Sequence, residues 1–194
     1  MIISLTGFMG CGKSSVGRRL SELLCCPFMD LDDVIVESAG RSIPEIFESE
    51  GEPAFRQMEL EALKRMVPKY SRGSLPLAGG GKMPLPDNRN TSMEAHSPTL
   101  ILALGGGAVM TKECAEIVRE ETCCVYLKAS IETLMEHLSG ESENRPMLKG
   151  EALQERITEL MAQRSETYEK TAHIVVDTDG KSIEAIASEI LYLI

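Results

Sequence analysis

Tryptophan is absent from this 194-residue chain, and four phenylalanines and four tyrosines are its whole aromatic complement. A core built on aromatic stacking is excluded, so aliphatic side chains must fill it, with eleven methionines as adaptable filler. No apolar run approaches the roughly 18–20 residues needed to span a bilayer. The start Met1-Ile2-Ile3-Ser4-Leu5-Thr6 lacks the basic segment and cleavage pattern of a signal peptide, so a cytoplasmic protein with no membrane partner is expected. Positive charge is scarce too: 30 acidic side chains outnumber 20 lysines and arginines, for a net charge of −10. That field repels nucleic acid, so any phosphate ligand must be held by a few placed cations and backbone donors. The cysteines include two adjacent pairs, Cys25-Cys26 and Cys123-Cys124, and no C-x-x-C spacing. They fit neither a zinc site nor a disulfide framework, and reduced thiols are expected. What is present is an ordinary globular balance, 43% hydrophobic and 26% charged, in a length suited to one domain.

Short apolar runs at 2–6, 27–29, 100–104, 123–127 and 174–176 alternate with helical periodicities. Val16, Leu20, Leu23 and Leu24 share one face of a helix over 13–25. Further helices are expected over 51–67, from a Thr111 cap to Arg119, from a Ser130 cap to about 138, over 151–168, and from Ser182 onward. This alternation predicts an α/β fold of three layers, a five-stranded parallel sheet with helices on both faces. Ligands of such sheets gather at the carboxyl ends of the strands. Residues 67–98 break the rhythm, with five of the nine prolines and a net charge of +2 against −12 for the rest. A loop that long is functional or disordered, and a flexible insertion is expected there.

Gly7-Phe8-Met9-Gly10-Cys11-Gly12-Lys13-Ser14 matches G-x-x-x-x-G-K-[ST], between a strand and a helix as the motif requires. Its backbone N–H groups and the helix amino terminus make an anion nest for a polyphosphate. Lys13 reaches the outer phosphates, and Ser14 offers a hydroxyl to Mg²⁺. The chain is therefore expected to be a P-loop NTPase, with ATP on Gly10, Cys11, Gly12, Lys13, Ser14 and Ser15.

A phosphate loop identifies a nucleotide, not a reaction. Asp30-Leu31-Asp32 ends the second strand, and its two carboxylates point the same way if the strand continues. They could serve Mg²⁺ and an acceptor hydroxyl, or equally form the acidic start of a helix. Arg56, Arg145 and Arg164 suit carboxylate or phosphate ligands, or solvent. Arg145-Pro146 lies in a polar stretch, 139–150, with the composition of a lid. Gly105-Gly106-Gly107 follows the third strand and allows either a close ligand or a plain tight turn. A second triple glycine, 79–81, is set aside because Pro76 and Pro84 flank it.

Together with Gly40-Arg41-Ser42-Ile43, Gly51-Glu52-Pro53-Ala54-Phe55-Arg56, Ala108-Val109, Arg145-Pro146-Met147-Leu148 and the Arg164–Tyr168 pair, these motifs resemble the shikimate kinase family. The resemblance spans the chain except 67–98. It implies transfer of the γ-phosphoryl of ATP to the 3-hydroxyl of shikimate, with Mg²⁺ as cofactor, by a monomer. It implies Lys13, Asp32 and Arg145 as catalytic residues, and Lys181 beside Arg145 at ATP. It implies Asp32, Arg56, Gly105, Gly106, Gly107 and Arg164 at shikimate, and Ser14 with Asp30, through water, at the metal. Cys11 departs from the usual small Ser or Ala, which raises thiol sensitivity. The alternatives are another small-molecule kinase, such as a gluconate kinase, and a non-catalytic nucleotide-sensing module.

Overall fold

The computed structural model describes residues 1–71, 100–140 and 151–194. Five parallel strands form one sheet: β1 (Ile2–Thr6), β2 (Phe28–Asp30), β3 (Leu100–Ala103), β4 (Cys123–Lys128) and β5 (Ile174–Asp177). Their order is β2-β3-β1-β4-β5. In register, Ser4 stands opposite Leu102 on one side and Cys124 on the other. Alternation along each strand sends neighbours to opposite faces. Ile2, Leu100, Leu102, Cys124 and Tyr126 enter one core cluster; Ile3, Leu5, Ile101, Val125, Leu127 and Val176 enter the other. Both clusters are aliphatic in the main, as the shortage of aromatics requires.

The described helices are α1 (Lys13–Leu24), α2 (Leu31–Ala39), α3 (Ile43–Ser71), α4 (Lys112–Glu121), α5 (Ile131–Gly140), α6 (Glu151–Thr171) and α7 (Ile183–Leu193). Val16 and Leu20 of α1, Leu134 of α5 and Ile186 of α7 cover the Ile3 face. Leu31 of α2, Leu63 of α3 and Val118 of α4 cover the Ile2 face. Helix α6 contributes Leu153 and Ile157 to the first of these layers and Tyr168 to the second. It therefore passes from one face of the sheet to the other.

Four local expectations change. The second strand stops at Asp30, and α2 begins at Leu31, so Asp32 lies in the first turn of a helix and not on a continued strand. Asp30 caps that helix by accepting from the Asp32 amide at 3.1 Å, which shortens the strand in favour of a satisfied helix terminus. The expected helix at 51–67 starts earlier, at Ile43, and kinks at Gly51, where φ is 80°. Thr111 occupies the cap position of α4 without a side-chain capping bond, whereas Ser130 and Ser182 cap as expected. Helix α3 runs to Ser71, with Val67 and Tyr70 buried in the core. The first residues of the proline-rich stretch thus belong to the helix, and the rest of it lies outside the described residues. The proposed lid, with Arg145, also lies outside them but for the end of α5.

Candidate active site

The site is built along the carboxyl rim of the sheet, where β1, β2 and β3 release their chains. Strand β1 leads into the loop Gly7–Ser14. Gly12 caps α1 at φ 92°, a left-handed backbone that a side chain would strain. The Lys13 ammonium folds over the loop, donating to the carbonyls of Gly7 at 2.9 Å and Phe8 at 2.8 Å. The loop opens onto a cavity of about 640 Å³, lined also by Thr133 and His137 of α5 and by Thr178 and Lys181. His137 Nδ1 pairs with the Gly10 carbonyl at 2.7 Å. Lys181 lines this cavity, with its ammonium paired to Glu189 at 2.6 Å.

At the end of β2, Ser14 Oγ donates to Asp30 Oδ2 at 2.8 Å. Asp30 is thus both a helix cap and a neighbour of the loop hydroxyl. Ser14 and Asp30 present hard oxygen donors, the chemistry a nucleotide-bound Mg²⁺ accepts. No group of three or more His, Cys, Asp or Glu among the described residues could cage an ion alone.

The β3 end carries the other half. Gly105 and Gly107 leave room for side chains from α2 and α3. A Cβ on Gly105 would stand 2.6 Å from Asp32 Oδ1 and 2.9 Å from Glu59 Oε1. A Cβ on Gly107 would collide with the Arg56 guanidinium. Arg56 is held from both sides, donating to Glu59 at 2.7 Å and to Glu52 at 2.8 Å. Glu59 is fully buried. Asp32 Oδ1 and Glu59 Oε1 are buried with no hydrogen-bond partner. Leaving such acceptors unmatched is costly, and a hydroxyl-bearing ligand would satisfy them. Burial, and secondarily Asp30, raises the Asp32 pKa against the lowering pull of Lys13 and Arg56. Burial likewise raises Glu59, with Arg56 opposing it. Arg164 of α6 lies beside the Tyr168 hydroxyl, which donates to the Gly106 carbonyl.

The family model for shikimate kinase matches residues 9–97 and 91–194. The chain belongs to the shikimate kinase family. It is 35% identical to a shikimate kinase of Dictyoglomus turgidum over 97% of this chain and 94% of that one. It is 38% identical to one of Thermus thermophilus over 97% and 87%. The fold superposes on a shikimate kinase of Acinetobacter baumannii in complex with shikimate, with TM-score 0.77, 30% identity, and 99% and 91% coverage. As a member of the shikimate kinase family the protein is an ATP-dependent phosphotransferase, and its sheet is that of the P-loop NTPases.

Of the residues expected at the site, the structure gathers Gly10–Ser15 and Lys181 around one cavity. Asp32, Arg56 and Gly105–Gly107 meet around the glycine turn. Arg145 lies outside the described residues. Glu59 was missed by sequence reasoning. Its signal was the i, i+3 spacing from Arg56 on an otherwise apolar helix face, where a carboxylate calls for a partner.

Proposed function

We propose that this protein transfers the γ-phosphoryl of ATP to the 3-hydroxyl of shikimate, with Asp32 as the group that orients and deprotonates that hydroxyl. The observation that carries this reading is the Asp32 carboxylate, desolvated, short of a hydrogen-bond partner, and under the pull of both Lys13 and Arg56. Its raised pKa makes it a better base than an ordinary aspartate. Burial matters as much as position, because the donors that would quench a surface carboxylate are missing.

The remaining residues divide by task. The loop N–H groups and Lys13 hold the polyphosphate and meet charge developing on the transferred group. Mg²⁺, with Ser14 and Asp30 nearest, supplies charge neutralisation on the phosphate oxygens when bound. Arg56, fixed by Glu52 and Glu59, and Arg164, beside the glycine turn, take the substrate carboxylate. The Gly105–Gly107 backbone faces the ring hydroxyls. Arg145 takes the part that the family resemblance implies, meeting charge that develops on the transferred group. A single domain acting as a monomer completes the proposal.

The test is ADP release measured with shikimate, gluconate and AMP as separate acceptors. Shikimate-dependent release with neither of the others is expected. Release driven by gluconate or AMP, or nucleotide binding with no release for any acceptor, would overturn it.

A further inference from the structure

We propose that Tyr168 is a positioning residue that locks the Gly105–Gly107 turn and Arg164 into one acceptor-binding unit. The inference rests on the reading of that turn as the shikimate pocket. Tyr168 is completely buried, near the end of α6. Its hydroxyl donates to the Gly106 carbonyl, a tie between residues 62 positions apart in sequence. The phenol has one proton, and this bond uses it, which leaves the oxygen lone pairs as acceptors. The Arg164 guanidinium lies beside that same oxygen, one helical turn earlier on α6. The hydroxyl thus binds the turn while the arginine lies next to it.

The ring is held in place independently. It packs on Tyr126 of β4, centroids 5.2 Å apart and tilted 32°. Burial pushes the Tyr168 phenol up to about 12, so it remains a neutral donor across any working pH. The far side of the turn is equally constrained. A Cβ on Gly106 would stand 3.3 Å from the Met9 amide of the phosphate loop. A shift of the turn would therefore change the distance between acceptor and nucleotide. Phenylalanine at 168 would keep the packing but free the Gly106 carbonyl and Arg164 together. A hydroxyl whose loss disturbs two substrate contacts at once does more than fill a core.

The experiment is Tyr168→Phe in the full chain, with KM for shikimate and for ATP measured separately, shikimate affinity by calorimetry, and Tyr126→Phe as the comparison. Shikimate KM and Kd are expected to rise about 5–10-fold in Tyr168→Phe, with ATP KM within about twofold of wild type. Tyr126→Phe is expected to bind shikimate as wild type does. Wild-type shikimate affinity in Tyr168→Phe would overturn the proposal, as would an equal loss in Tyr126→Phe or in ATP KM. Those results leave the kinase reading standing. A wild-type protein without shikimate-dependent turnover would remove that reading, and this inference with it.

Discussion

The two halves of the site are built differently. The proposed nucleotide half centres on one continuous segment, Gly7–Ser14, whose working groups are mostly backbone amides. The acceptor half is assembled from side chains on α2, α3 and α6 around the turn after β3, between residues as far apart as Asp32 and Arg164. The first depends on local geometry, which glycines and a helix terminus supply wherever the motif occurs. The second depends on three helices docking correctly around one turn. Losses at the loop should therefore strike turnover, and losses around the glycine turn should strike acceptor binding or its chemistry separately.

Lys13→Ala should have the largest effect. Removing the only loop cation should lower kcat by roughly 10³-fold, measured as ADP release with both substrates saturating. A variant within tenfold of wild type would break the division between the halves.

Asp32→Asn comes next, because Asp32 stands where the halves meet. Its kcat should fall by about 10²-fold at saturating shikimate, while ATP KM holds. The wild-type pH profile sharpens the point. Asp32 must be deprotonated to act, and its pKa is raised by burial first and by Asp30 second. Activity should therefore fall as pH drops, on a limb lying above the ordinary carboxylate range, and the asparagine variant should lack that limb. An unchanged limb in Asp32→Asn would assign it to another group.

Arg164→Ala should raise shikimate KM by about 30-fold with ATP KM unchanged, since a charge-assisted bond to a carboxylate is worth about 2 kcal/mol. Arg56→Ala should act in the same direction. It also strands the fully buried Glu59, so it should lower thermal stability where Arg164→Ala does not. Equal melting temperatures in the two variants would show that the Glu59 pairing carries little weight. Deleting 72–96 should have the smallest effect, with kcat and both KM values within about twofold. A folded deletion protein without activity would give that segment a part in the site.

How much of this was legible beforehand follows the same division. The loop could be read outright, because G-x-x-x-x-G-K-S encodes its own conformation. The parallel sheet and its strands were legible because buried strands are short apolar runs and the helices between them repeat at 3.6 residues. Helix α2 was not, because Asp30-Leu31-Asp32-Asp33 reads equally as a stop and as a start. The Asp30 capping bond decides it. The stretch 43–50 was missed because Gly51 punctuates α3, and a left-handed glycine looks like an end where the chain only bends.

The sequence by itself determined the fold class and the conformation of the phosphate loop, since both follow from spacing along one chain, while the residues expected at the acceptor came from the family resemblance. Only the tertiary structure decided that Glu59 holds Arg56, that Asp32 is desolvated, and that Tyr168 ties α6 to the turn after β3. Burial and hydrogen bonding across many tens of residues are properties of packed surfaces, and no local pattern of residues records which surfaces will meet.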